Sequence, residues 1–206
     1  FLDAELVAAL PLTSANSINP GRLLPQAFYY IWARSRFAAG EPVVICVPSG
    51  NFGNLTAGVY AWQWGLPVRR FLAATNLNDV VPEYLSSGAF RPRASVRTLS
   101  NAMDVGNPSN FERLLAVFGG DPQVMRGTIE GLRVDDGQTR ETIRAVHGEC
   151  GVLLDPHTAV GVRACAEYRR RTGFTGTMIT LATAHPAKFV EIVREATGLE
   201  PELPGE

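Results

Sequence analysis

The chain has almost no lysine. Of its 19 basic residues 18 are arginine, and Lys188 is the single lysine, so chemistry that needs a primary amine has one candidate. Cysteine is also scarce. Cys46, Cys150 and Cys165 form no Cys-x-x-Cys pair and leave an odd thiol, which speaks against a disulfide framework or a zinc site and for buried thiols in the cytoplasm. His147, His157 and His185 are dispersed and lack His-Glu-x-x-His spacing, so no metal centre is expected. No apolar run approaches the roughly 20 residues of a membrane span. The opening FLDAELVAAL carries acids where a signal peptide needs bases, and it lacks an initiating Met, so the chain reads as a fragment. Positive charge in excess is missing too: the net charge is −1, which excludes a nucleic-acid binder that works through a clustered basic field. The one basic run, Arg169-Arg170-Arg171, falls at the end of a predicted helix, where cations favour the dipole.

With 206 residues, 46% of them hydrophobic and 19% charged, the chain can bury a core of one domain or slightly more. Apolar runs alternate with helical patterns. RLLPQAFYYIWARSRFAA reads as a helix after Asn19-Pro20, with Gly40 as its stop, and VVICV as a short buried strand. A helix over 54–64 leads through Gly65-Leu66-Pro67 into a second strand, VRRFLAAT. The middle reads as helical: DVVPEYLSSG, SNFERLLAVFGG, DPQVMRGTIEGL and GQTRETIRAVHGEC. GVLLDPHTAVGVRACAEYRRRTG reads as a short extended piece and a long helix, TGTMITLAT as a strand ending at Thr183, and PAKFVEIVREATG as a closing helix. Residues 199–206 are expected to form a flexible tail. This alternation predicts an α/β fold in three layers: a largely parallel sheet with helices on both faces and ligands at the carboxyl ends of the strands.

Three polar stretches fall where strands meet helices. VPSGNFGN at 47–54 leaves a strand through two glycines and starts a helix, so it can turn backbone N–H groups towards a phosphate. The glycine spacing matches neither a Walker loop nor a dinucleotide fingerprint, and an ordinary tight turn with a helix cap is the other reading. SANSINPGR at 14–22 puts Asn16, Ser17, Asn19 and Arg22 at a helix entrance, which suits either a second phosphate or carboxylate, or an Asn19 cap with a solvated Arg22. In TLATAHPAKF at 180–189, Thr183 offers a hydroxyl to a heterocyclic nitrogen.

Taken together, SANSINPGRLLPQ, VPSGNFGNLTAG, GLPVRRFLAATNLNDVVPEYL, TLSNAMDVGNPSNFERL, GVLLDPHTAVG and TAHPAKF resemble the threonine synthases of the bacterial and fungal type, from near residue 14 to near residue 190. These are pyridoxal 5′-phosphate enzymes of fold type II, the tryptophan-synthase-β-like fold. The resemblance implies that Gly50, Asn51, Phe52, Gly53 and Asn54 hold the cofactor phosphate and that Thr183 bonds the pyridine nitrogen. It also implies that Asn16, Ser17 and Arg22 bind the substrate's phosphate. The implied reaction converts O-phospho-L-homoserine and water to L-threonine and phosphate, with the cofactor ring as electron sink.

The family's Schiff-base lysine belongs to a segment upstream of SANSIN that this sequence does not contain, as does the Ser/Thr/Gly-rich loop that grips the substrate carboxylate. Lys188 matches an ordinary position in AHPAKF, so no catalytic residue is assigned. The 206 residues are read as the C-terminal part of a large cofactor-binding domain, inactive alone and partnered by the missing N-terminal segment. A non-catalytic phosphate-binding module and a serine or threonine dehydratase are the alternatives; the NSINPGR match disfavours the dehydratase, whose substrate carries no phosphate.

Overall fold

The structure, a computed structural model, describes residues 3–14 and 16–203. Ala15 of the 14–22 stretch and residues 204–206 of the expected tail lie outside the described residues. Helices α1 (Ala4–Ala9), α2 (Pro20–Leu23) and α3 (Ala27–Ser35) precede strand β1 (Val43–Pro48). Helix α4 (Gly53–Gln63) connects β1 to β2 (Arg70–Thr75), and α5 (Val80–Ser87), α6 (Phe111–Val117) and α7 (Pro122–Thr128) lead to β3 (Ile129–Arg133). Helices α8 (Asp136–Cys150) and α9 (Pro156–Thr172) return the chain to β4 (Thr177–Thr180), and α10 (Val190–Thr197) follows. The four strands are parallel, in the order β3-β2-β1-β4.

Side chains alternate along the central strands, so the sheet is buried on both faces. Val43, Ile45 and Val47 join Phe71 and Ala73 in one core, covered by Tyr30 of α3, Leu55 of α4 and Phe111 of α6. Val44 and Cys46 join Leu72 and Ala74 in the other, covered by Val160, Ala164 and Tyr168 of α9. Behind α9, Ile143 of α8 packs with Ala159 and with Ala196 of α10. This is the expected three-layer α/β architecture. No helix among the described residues is long and apolar enough to cross a membrane.

The local structure departs from the sequence reading in four places. The helix expected up to Gly40 is broken by a 3-10 turn at Leu24–Gln26, where Pro25 has no N–H to continue the ladder. It ends at Ser35, because the buried Arg34 guanidinium donates to the carbonyls of Phe37, Ala38, Glu41 and Pro67 at 3.0–3.2 Å and folds the chain back. The second half of DPQVMRGTIEGL is strand β3, not helix; it is an edge strand, so Glu130 and Arg133 interrupt the apolar run. Strand β4 stops at Thr180, three residues before Thr183. The closing helix begins as a 3-10 turn at Pro186–Phe189.

Two smaller expectations fare differently. The Arg169-Arg170-Arg171 run does occupy the last turn of α9. Buried thiols are found at Cys46, whereas Cys165 is half-buried and Cys150 is exposed in the last turn of α8.

Candidate functional site

Strand β1 ends at Pro48, and the chain reaches α4 in four residues. The turn is made by Phe52, with φ 61° and ψ 8°, the one non-glycine residue in the left-handed region among those described. That conformation costs about 1–2 kcal/mol for an L-residue. Burial of the Phe52 ring offsets it: the ring is 3% exposed and edge-on to Phe111 at 6.5 Å. Phe52 is also the N-cap of α4 and supplies no side-chain acceptor. Among the described residues, none of the backbone N–H groups from Gly50 to Leu55 has a hydrogen-bond acceptor. An uncapped helix start with its donors open is a ready anion site.

The glycines serve packing. A Cβ on Gly50 would lie 2.7 Å from Met103 Cα and 2.9 Å from the Ala102 carbonyl oxygen. On Gly53 it would lie 3.2 Å from Asn110 Nδ2. Both glycines therefore admit the 100–110 segment against the turn.

The two asparagines are held differently. Asn51 Nδ2 donates to Ser17 Oγ at 2.5 Å, and its Oδ1 accepts from Ser109 N at 2.6 Å and Ser109 Oγ at 2.9 Å. Asn54 Oδ1 accepts from the hydroxyls of Tyr29 and Tyr30, the latter at 2.7 Å. Tyr30 OH also lies 2.8 Å from the Asn54 carbonyl oxygen. Burial pushes the Tyr29 phenol up to about 12 and, with Tyr29 and Cys46 adding to it, holds Tyr30 well above its ordinary value. Both therefore donate at neutral pH, which orients Asn54 and leaves its Nδ2 protons without an acceptor among the described residues.

Arg22, Tyr29, Trp32, Asn54, Leu181 and Thr183 line one open cleft of about 570 Å³ at the carboxyl ends of β1 and β4. Three sequence-predicted residues, Arg22, Asn54 and Thr183, thus share a cavity although they span 161 positions of the chain by number, 183 − 22. Thr183 is exposed and irregular rather than strand-terminal. Ser17 is drawn in by Asn51. The Asn16 side chain instead accepts from Ile18 N at 3.2 Å and Ser17 Oγ at 3.3 Å, a local turn outside the cleft. Asn19 caps α2 through Gly21 N at 2.9 Å, as its capping reading requires. Lys188 is exposed and lines a separate cavity with Arg97 and Arg140.

Sequence reasoning missed the residues that hold this geometry. Asn110 and Arg113 tether residues 17 and 18, Ser109 holds the Asn51 side chain, and Tyr29 and Tyr30 orient Asn54. His157 Nε2 accepts from Ala102 N at 3.2 Å while Nδ1 faces Asp155 Oδ1 at 3.0 Å, which fixes the 100–104 segment that meets Gly50. The amide- and hydroxyl-rich run SNAMDVGNPSN was the available signal; its polarity marked it, but not its partners.

Comparison with known proteins adds an independent line. The family description "Threonine synthase, C-terminal" matches residues 158–206. Threonine synthase of Serratia marcescens is 46% identical over 206 residues, covering 99% of this chain and 47% of that protein. Among solved structures, the pyridoxal-phosphate-bound threonine synthase of Brucella melitensis superposes with a TM-score of 0.87 at 38% identity, covering 98% of this chain and 48% of the other. The Escherichia coli threonine synthase superposes at 0.86 with 44% identity, covering 98% and 46%. The chain spans about half the length of the relatives it matches.

Proposed function

From its correspondence in sequence and fold with the C-terminal half of the threonine synthases, we infer that this chain is the phosphate-binding half of a pyridoxal-phosphate-dependent carbon–oxygen lyase. The complete enzyme converts O-phospho-L-homoserine and water to L-threonine and phosphate in the cytoplasm. The observation that carries this reading is the single cleft shared by Arg22, Asn54 and Thr183 beside an uncapped helix start.

The residues present fit the cofactor. The open N–H groups from Gly50 to Leu55 and the Asn54 Nδ2 protons would hold its phosphate, each a donor to an anion at the positive end of α4. When bound, pyridoxal phosphate supplies an electron sink for carbanions at Cα and Cβ of the amino acid. The Thr183 hydroxyl would bond the ring nitrogen; a neutral partner there does not enforce a protonated ring, which shifts weight to the phosphate contacts. Arg22 would bind the substrate's phosphate, with Ser17 held near it by Asn51, whereas Asn16, turned into its own local bend, takes no part. Trp32 and Tyr29 line the aromatic side of this open cleft.

No lysine lies in this cleft, so the amine that holds the cofactor comes from the remainder of the enzyme, and the 206 residues alone are expected to be inactive. Residues 1–206 are assigned to one large cofactor-binding domain. Phe28 and Trp32 of α3, 70% and 65% exposed, form the apolar face on which the N-terminal remainder would pack.

Borohydride reduction of the native protein followed by intact mass measurement tests the reading. A chain of about twice this length carrying one pyridoxyl group and forming threonine from O-phospho-L-homoserine is the expected result. A chain of this length without adduct overturns it in favour of a non-catalytic phosphate-binding module. Deamination of serine or threonine without phosphate release would make it a dehydratase.

A further inference from the structure

Residues 11–14 and 16–19 have no regular secondary structure, and the position of residues 17 and 18 is set by residues far along the chain. Arg113 of α6 donates from Nη2 to the Ile18 carbonyl at 2.5 Å and from Nη1 to Asn110 Oδ1 at 2.8 Å. Asn110 is wholly buried and donates from Nδ2 to the Ser17 carbonyl at 3.3 Å. A third tether comes from the cofactor-side turn itself, where Asn51 reaches Ser17 Oγ. Residues 17 and 18 are thus gripped through both carbonyls and one hydroxyl, and Arg22 follows one helical turn later in α2.

We propose that Arg113 and Asn110 are positioning residues that hold residues 16–22 at a fixed distance from the 50–54 turn, and thereby set affinity for the substrate's phosphate. This rests on the assignment of Ser17 and Arg22 to that phosphate. The argument is geometric. A guanidinium is a planar fork that serves two acceptors at once, here a loop carbonyl and the Asn110 amide oxygen, and the second bond fixes which way the Asn110 amide points. With its oxygen held by Arg113, Asn110 presents its NH2 to the Ser17 carbonyl; without Arg113 that orientation loses its determinant. Gly53 belongs to the same device, since a Cβ there would crowd Asn110 Nδ2 at 3.2 Å, with the Ser17 carbonyl oxygen in ordinary contact at 3.8 Å. Neither Arg113 nor Asn110 lines the cleft, so their influence on a ligand passes through residues 17–22.

The test uses the native polypeptide carrying Arg113→Ala, with Arg113→Lys beside it in case the alanine variant does not fold; lysine keeps the charge but lacks the planar fork that spans both acceptors. Five readouts are needed: tryptic cleavage after Arg22, dissociation constants for pyridoxal phosphate and for inorganic phosphate, and KM and kcat for O-phospho-L-homoserine. Expected are faster cleavage after Arg22 and a KM and inorganic-phosphate constant raised about tenfold, the effect of one charge-assisted hydrogen bond. Cofactor affinity is expected to be unchanged and kcat within about twofold, since uniform binding is what is lost. Unchanged cleavage and unchanged KM overturn the proposal. An equal loss in kcat, cofactor affinity and thermal midpoint also overturns it, because it marks a merely structural role. If the unsubstituted protein does not turn over the phosphate ester, the functional reading fails, while cleavage after Arg22 and inorganic-phosphate affinity still decide the positioning role.

Discussion

Asn51 and Ser17, 34 positions apart, are joined side chain to side chain at 2.5 Å. One belongs to the turn assigned to the cofactor phosphate and the other to the stretch assigned to the substrate phosphate, so the two candidate sites share a wall. Replacing Asn51→Ala removes this bond and the two from Ser109, at a cost of about 1–3 kcal/mol. Affinities for pyridoxal phosphate and inorganic phosphate are expected to fall together in titrations of the native protein. A loss confined to the cofactor would mean that the 14–22 stretch is positioned independently.

Gly50 and Gly53 are expected to differ in their tolerance of alanine. At Gly50 the new methyl meets backbone, Met103 Cα at 2.7 Å, and the neighbour cannot swing aside; at Gly53 it meets a side-chain amide at 3.2 Å. Urea denaturation should place Gly50→Ala about 1–3 kcal/mol below the parent, with Gly53→Ala nearer to it. Equal midpoints for both variants would show that the 100–104 segment moves freely off the turn.

Tyr30→Phe tests how Asn54 is oriented. The Tyr30 hydroxyl is buried and serves both oxygens of Asn54. Its removal is expected to cost about 1–2 kcal/mol in thermal or urea unfolding, typical of a lost buried hydrogen bond, and to weaken pyridoxal phosphate binding. Full retention of cofactor affinity would remove Asn54 from the phosphate cradle.

A pH-dependent prediction comes from Asp155, the N-cap of α9. Burial works against its charge, but bonds from the His157 and Thr158 side chains and from their backbone N–H groups prevail and hold the carboxyl below the usual aspartate range. A depressed folded-state value means that the stabilisation is complete above the unfolded value of about 3.9 and is lost as pH falls through the lower folded value. Asp155→Asn keeps a capping oxygen but not the charge. Its deficit in unfolding free energy should be greatest from about pH 5 upwards and shrink in stronger acid. A deficit that does not change with pH would assign the effect to shape rather than charge.

Much of the fold could be read from the sequence because its signals are local. VVICV and FLAAT are apolar on both faces, as central parallel strands must be, and Asn19, Asp121, Asp135 and Asp155 cap the helices they precede. Strand β3 escaped because an edge strand is only half-covered, so IEGLR carries charges that break the pattern. Thr183 is expected at the end of a strand that stops three residues earlier, since the apolar run continues through Leu181 and Ala182 past the strand's end.

The sequence by itself determined the α/β alternation, the strand-to-helix turn at 47–54 and the composition of the polar stretches, because these depend on side-chain period, glycine and capping over a few residues. Only the tertiary structure decided that Arg22, Asn54 and Thr183 face one cleft, that Gly50 yields to Met103, and that Asn110 and Arg113 grip residues 17 and 18. Those relations join positions 32 to 161 residues apart, from Arg22 and Asn54 to Arg22 and Thr183, and they exist only once the parallel sheet has brought the carboxyl ends of β1 and β4 side by side. No local propensity encodes that juxtaposition; it follows from burying both faces of the sheet at once.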